Sequence, residues 1–170
     1  MKKYLVLAST VSALLLGGCG QKESTAPAAN APAPAAAAAA KPAGPRVIEI
    51  TGGDNMKFNI TAIEAKPGEE LKIIFSNIGT MPKEAMGHNL VILKKGTDTM
   101  AFAMAATTAK ATDYIPASMQ DAVLAHTAML GPRKSEELLF KAPTEPGDYP
   151  YVCSFPAHYQ VGMKGIISVK

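Results

Sequence analysis

The segment from residue 20 to residue 45, GQKESTAPAANAPAPAAAAAAKPAGP, sets the outer limit on what this chain can fold. It is built from alanine and proline with almost no large apolar side chain, so it cannot bury enough surface to offset the entropy of ordering itself. Pro34 and Pro42 bracket the run Ala35 to Ala40 too closely for a stable helix. Proline-rich tethers extend at about 3.1 Å per residue, so such a segment reaches about 80 Å at most. Folding capacity therefore falls to the 125 residues from Arg46 to Lys170. That is enough for one core and too few for two domains of ordinary size.

The residues before the tract carry a different signal. Lys2 and Lys3 precede an apolar run from Leu5 to Leu16, which is short of the roughly 20 residues a bilayer needs. Residues 1–18 are expected to be a secretory signal peptide. The run ends in Leu16-Gly17-Gly18-Cys19, which resembles the lipobox of bacterial lipoproteins. The resemblance implies cleavage before Cys19 and lipidation there, with residues 19–45 tethering the domain to a membrane. More than one acyl chain makes such anchoring stable. The domain is then expected in the periplasm or on the cell exterior.

With Cys19 acylated, Cys153 has no disulfide partner in an oxidising compartment, and a bound metal would occupy it. Without Lys2 and Lys3 the chain has 15 basic and 14 acidic residues, near neutrality and without a basic run. Nucleic acid is not an expected partner.

From Arg46 onward the pattern is mostly β. Short β-branched or alternating runs occur at Val47–Ile50, Met56–Ile63, Leu71–Phe75, His88–Leu93, Val123–Leu130, Glu137–Lys141, Tyr149–Phe155 and Gly165–Val169. In the second, Met56, Phe58, Ile60 and Ala62 are expected to share one face. Turn signals such as Lys66-Pro67-Gly68-Glu69 separate the runs. About eight strands so spaced predict an all-β sandwich. The alanine-rich stretch Asp98–Lys110 predicts one inserted helix, capped by Thr97 or Asp98. Met100 and Met104, four apart, are expected to face the core; as a Met-x3-Met pair they are otherwise a candidate Cu(I) site.

The chemistry lies in Cys153-Ser154-Phe155-Pro156-Ala157-His158-Tyr159-Gln160-Val161-Gly162-Met163. It brings a thiolate, an imidazole and a thioether within eleven residues. Electron transfer by a blue copper site needs two imidazoles and a thiolate in a plane, with a distant thioether on the axis. The second imidazole must come from His88 or His126. His88 stands in Met86-Gly87-His88-Asn89, where Gly87 lets the backbone approach a metal closely and the Asn89 amide can tie two loops together. His126 has no such neighbours and is expected at a surface or sheet edge.

Met86-Gly87-His88-Asn89, the Cys153-to-His158 run and Met163-Lys164-Gly165 resemble the azurin and auracyanin branch of the cupredoxins. Met56-Lys57-Phe58-Asn59, Asn77–Pro82 and the stretch from Ile115 through His126-Thr127 to Gly131 extend the resemblance over residues 46–170. It implies a Greek-key β-sandwich with an external helical flap and one type 1 copper at one end. His88, Cys153 and His158 would be equatorial ligands, Met163 the weak axial one, and the Gly87 carbonyl a fifth contact. Asn89 and the backbone at Phe155 would restrain the thiolate through hydrogen bonds. Azurin has one residue fewer between its ligand histidine and methionine; the four found here, Tyr159 to Gly162, match auracyanin better. Azurin also carries a disulfide for which this domain lacks cysteines.

The implied function is a one-electron carrier, not an enzyme. A Cys/His hydrolase lacks an oxyanion loop and an orienting group, and His2Cys plus a thioether is a poor zinc set. Multicopper enzymes need more than three histidines. The alternative is a copper-trafficking or copper-buffering lipoprotein, for which Met81, Met86, Met119 and Met129 would be further soft ligands. His158 is expected nearest to solvent, inside an apolar patch of Met86, Pro156, Ala157, Tyr159 and Val161. Such a patch suits brief docking of redox proteins such as c-type cytochromes, reductases or oxidases.

Overall fold

The computed structural model describes residues 44–170. The segment 1–18, Cys19 and the tract to residue 43 lie outside the described residues. Eight strands form two sheets: β1 (Arg46–Gly52), β2 (Ala62–Ala65), β3 (Glu70–Asn77), β4 (Val91–Leu93), β5 (Val123–His126), β6 (Ser135–Lys141), β7 (Gly147–Val152) and β8 (Lys164–Val169). One sheet has the order β1-β3-β6 and the other β2-β8-β7-β4-β5. Pairing is parallel between β1 and β3 and between β2 and β8, and antiparallel elsewhere. The architecture is the predicted β-sandwich.

The core follows from alternation along each strand. Leu71, Ile73, Phe75 and Asn77 of β3 point inward while their neighbours are partly or fully exposed. Ile48 and Ile50 sit in register with Ile73 and Phe75, and Phe140 with Leu71, so one sheet presents a continuous apolar face. Ile63, Ala65, Tyr149, Tyr151, Ile167 and Val169 supply the opposing face. Each fully buried large side chain contributes roughly 1.5–3 kcal/mol by leaving water. Tyr151 fills the centre: its ring packs 5.5 Å from that of Phe58, and its hydroxyl donates to the Ile60 carbonyl at 2.6 Å. Gly165 lies opposite it in the ladder, and a Cβ there would meet Tyr151 Cζ at 2.2 Å. Pro150 sits inside β7 without costing a ladder bond, because β4 pairs with β7 only at Val152 and Tyr151.

Several expectations need correction. Met56–Ile63 is not one strand. Met56 adopts φ 53° in a turn closed by its N–H to the Gly53 carbonyl, and the Asn59 side chain accepts from the Thr51 N–H at 2.7 Å. An asparagine bonding the neighbouring chain this way replaces the ladder. β2 therefore starts at Ala62 with the opposite phase, Ile63 inward and Ala62 outward. His88–Leu93 is likewise strand only from Val91. His88 makes an isolated bridge with Leu130, and the Leu90 N–H is taken by the Thr127 hydroxyl.

The helix is present and shorter than expected: α2, Thr99–Ala106, with the Asp98 carboxylate accepting from the Ala101 N–H at 2.9 Å (α1 is the single turn Lys83–Met86). Met100 and Met104, however, face solvent at 48% and 56% exposure. The inward face is Phe102, Ala103 and Ala106 instead, packed on Val91, Leu93, Ile115, Val152 and Tyr159. The small Ala103 and Ala106 let α2 approach closely, and a helix on a surface buries only one stripe.

Candidate metal centre

Three loops meet at one end of the sandwich. His88 enters from the segment after α1, held by reciprocal backbone bonds to Leu130 at 3.1 and 2.7 Å. Cys153 follows directly on β7, with its N–H donating to the Met163 carbonyl at 3.1 Å. His158 and Met163 close the loop before β8, where the Met163 N–H donates to the His158 carbonyl at 2.9 Å.

The donor atoms converge. His88 Nδ1 lies 3.1 Å from His158 Nδ1 and 3.9 Å from Cys153 Sγ, and His158 Nδ1 lies 3.4 Å from that sulfur. A metal bonded in one plane to two nitrogens and a sulfur at about 2.0–2.3 Å needs edges of roughly 3.5–4 Å. The His88–sulfur edge has that length, and the other two are shorter by a few tenths of an ångström. The triangle is also the one group of three or more potential His, Cys, Asp or Glu ligands among the described residues.

Burial sets the protonation. His88 is fully buried and His158 is 2% exposed, so both rings are shielded from solvent. Burial lowers the His158 pKa to about 4, with the His88 ring adding to the effect. Burial lowers the His88 pKa as well, opposed by the Gly53 backbone and the Asp54 carboxylate. Both rings are therefore neutral at pH 7 and offer lone pairs. Burial pushes the metal-free Cys153 thiol up to about 12, against the backbone groups of Asn89 and Phe155. Such a thiol is no nucleophile at neutral pH, whereas a bound cation deprotonates it. The donor set thus fits a soft, thiolate-accepting metal.

Met163 is fully buried, and a Cβ on Gly52 would lie 2.4 Å from its Cε and 3.6 Å from His88 Cγ. The thioether and the ring thus meet over Gly52, a role that no local pattern around Gly52 announces. Gly87 also has a packing reason to be glycine. Its φ of −66° suits any residue, but a Cβ there would sit 2.7 Å from the Lys83 carbonyl and 2.9 Å from Met129 Cγ.

Asn89 does link two loops. Its Oδ1 accepts from the Ser154 N–H at 2.9 Å, and its Nδ2 donates to Ser154 Oγ at 2.8 Å and to the Asp113 carbonyl at 3.2 Å. Asp113, in the left-handed region at φ 52°, also accepts from the Met129 N–H at 3.2 Å. Phe155 stacks 4.6 Å from the His158 ring. Ser154 and Asp113 were not legible as site residues, since nothing in an isolated Ser or Asp announces a partner 65 or 24 positions away.

Around the mouth, Ala157 and Val161 are exposed, and Met86 and Pro156 are half-buried. Tyr159 does not belong to this patch. It is 7% exposed and turned inward, its hydroxyl 2.6 Å from Thr99 Oγ1, so it anchors the flap. Ile78 and Met81, 64% and 41% exposed, extend the apolar rim instead. Their loop is joined to the Gly52–Asp54 turn by the Ile78 N–H to the Gly52 carbonyl at 2.8 Å and by Asp54, which accepts from the Thr80 N–H and hydroxyl at 2.9 and 2.8 Å. His126 lies exposed on the edge strand β5, and Met129 is buried.

The Asp54 bonds predict an acid response. Thr80, through its N–H and then its hydroxyl, holds the Asp54 carboxyl below its ordinary 3.8. A depressed pKa stabilises the fold above the ordinary value, and that contribution fades as acid protonates the group. Wild type should therefore lose stability more steeply than Asp54→Asn as pH falls below 3.8. Urea midpoints at a series of pH values check this; parallel curves would contradict it.

The comparisons agree with this chemistry. Residues 46–170 match the model of the family described as copper binding proteins, plastocyanin/azurin family. The chain is 34% identical over 125 residues to an azurin of Alcaligenes faecalis, covering 72% of this chain and 96% of that one. It is 38% identical over 176 residues to the outer membrane protein H.8 of Neisseria gonorrhoeae, covering 93% of each. Among solved structures it resembles the dithionite-reduced auracyanin of the photosynthetic bacterium Roseiflexus castenholzii, with a TM-score of 0.64 and 36% identity over 73% of this chain and 96% of that one.

Proposed function

The chain belongs to the plastocyanin/azurin family of copper-binding proteins, and we propose that it carries single electrons between redox proteins outside the cytoplasm while tethered to a membrane through Cys19. A blue copper electron-transfer cupredoxin is what azurin and auracyanin relatives support. The observation that carries the reading is the buried triangle of His88, Cys153 and His158. The tether rests on the Leu16-to-Cys19 motif, and the location on the likeness to a protein named for the outer membrane. Among the described residues no helix is long and apolar enough to cross a membrane.

When bound, copper would supply a one-electron couple. His88, Cys153 and His158 would hold it, Cys153 as the thiolate, with Met163 on the side over Gly52. The Gly87 carbonyl is proposed as a weak fifth contact. Asn89 fixes the distance between the His88 and Cys153 loops, and the Phe155 backbone restrains the thiolate. Because these loops are cross-linked by buried hydrogen bonds, the donors keep their places in both oxidation states, and little has to rearrange with each electron. Burial of both rings keeps water from the thiolate.

The patch of Met86, Pro156, Ala157 and Val161 is proposed as the face on which partners such as c-type cytochromes, reductases or oxidases dock, His158 being the ligand beneath it. Replacing Val161 or Met86 with glutamate should slow electron exchange with a small redox partner about tenfold while leaving the visible spectrum nearly unchanged, as a buried charge in a small transient interface costs about 1.4 kcal/mol or more. An unchanged exchange rate would place the docking face elsewhere. The function itself is tested by redox cycling. The copper-loaded domain should bleach on reduction and recover its colour on oxidation without losing metal, whereas release of copper on reduction would favour a trafficking role.

A further inference from the structure

The loop carrying His158 and Met163 has one carbonyl whose partner comes from far away in sequence. Within the loop, the Val161, Gly162 and Met163 N–H groups bond the carbonyls of Ala157, Tyr159 and His158 at 3.2, 2.9 and 2.9 Å. The Val161 carbonyl instead accepts from the Lys57 ammonium, 104 positions upstream. Gly162 makes room for this contact: it adopts φ +99°, and a Cβ there would lie 2.6 Å from Lys57 Nζ. Lys57 is itself held in place. It follows Met56 in its left-handed turn, its N–H donates to Asn55 Oδ1 at 3.2 Å, and the next residue, Phe58, is locked in the core against Phe75 and Tyr151.

We infer that Lys57 is a positioning residue for the metal loop, pinning the Val161 carbonyl so that Met163 stays over Gly52, and that its ammonium is a fixed cation beside the loop that carries His158 and Met163. This deepens the electron-carrier reading and rests on it for its second half. The clamp fits the extra residue between His158 and Met163: a longer loop has more conformations, and an added tie removes them. The cation favours whichever redox state carries less positive charge, so it raises the reduction potential. Because Lys57 is exposed, that effect shrinks with added salt.

The test compares Lys57→Met, Lys57→Gln and Lys57→Arg in the folded domain of the full chain. Amide hydrogen exchange at Gly162 and Met163 is read first in metal-free protein, where no copper reading enters. Lys57→Met and Lys57→Gln should speed exchange about threefold to tenfold, the equivalent of one ordinary hydrogen bond, while Lys57→Arg stays near wild type. Potentials of copper-loaded protein are read next. Those of Lys57→Met and Lys57→Gln should fall at low salt, and the gap should narrow at high salt. Exchange in Lys57→Met equal to wild type would overturn the clamp. A potential unmoved at low salt, in protein that binds copper normally, would overturn the electrostatic half. Failure of every variant and of wild type to take up copper would instead count against the function proposed above.

Discussion

Replacing Cys153 with serine should leave a folded domain that takes up copper weakly and shows no intense visible absorption. The colour of a type 1 site comes from charge donation by a thiolate, and a serine hydroxyl neither ionises readily nor donates so strongly. Losing a hydrogen-bond partner of a ligand costs roughly 10–100-fold in metal affinity, so losing the strongest donor should cost more than that. The fold should survive, because Cys153 ties the loop through its backbone N–H to Met163, which serine keeps. Its side chain packs as a small buried group in the main core. Circular dichroism of the metal-free variant should match wild type, with copper titration followed by absorbance. A strongly coloured Cys153→Ser protein would remove the thiolate from the account.

Asn89→Ala should be the most destabilising change to the site itself. It leaves the buried Ser154 N–H, the Ser154 hydroxyl and the Asp113 carbonyl without their partner. Each unsatisfied buried group costs about 1–3 kcal/mol, so a loss of about 3 kcal/mol is expected, or on the order of 10 °C in melting temperature for a domain of this size. The thiolate loop should loosen with it, broadening the copper signals and slowing electron exchange. Thermal melts of metal-free protein separate the structural part from the electronic one. A variant as stable as wild type would show that the two loops are held together by packing alone.

Much of this was readable in the chain because the ligands are scarce and closely spaced. Cys153, His158 and Met163 lie within eleven residues, and with three histidines in the chain the choice of the second ring narrowed to His88 or His126. The sandwich was legible wherever one face of a strand is wet and the other buried, as along β3. The failures have physical causes. Met56–Ile63 alternates like a strand, but the Asn59 side chain captures the Thr51 N–H and forces a turn. Met100 and Met104 are apolar and helix-spaced, yet Phe102 with two alanines makes the closer-packing stripe. Tyr159 reads as part of a docking patch until Thr99 supplies its hydroxyl with a partner 60 positions away. Gly52, Ser154, Asp113 and Lys57 act through contacts between distant loops, and no local pattern reports those.

His88, Cys153 and His158 together hold one copper through a thiolate and two imidazoles. Stepwise addition of cupric ion to the metal-free domain, followed by visible absorption, tests that arrangement directly. An intense blue colour should rise linearly, stop at one equivalent and disappear reversibly on reduction. Binding without colour, or colour that keeps growing well past one equivalent, would contradict it.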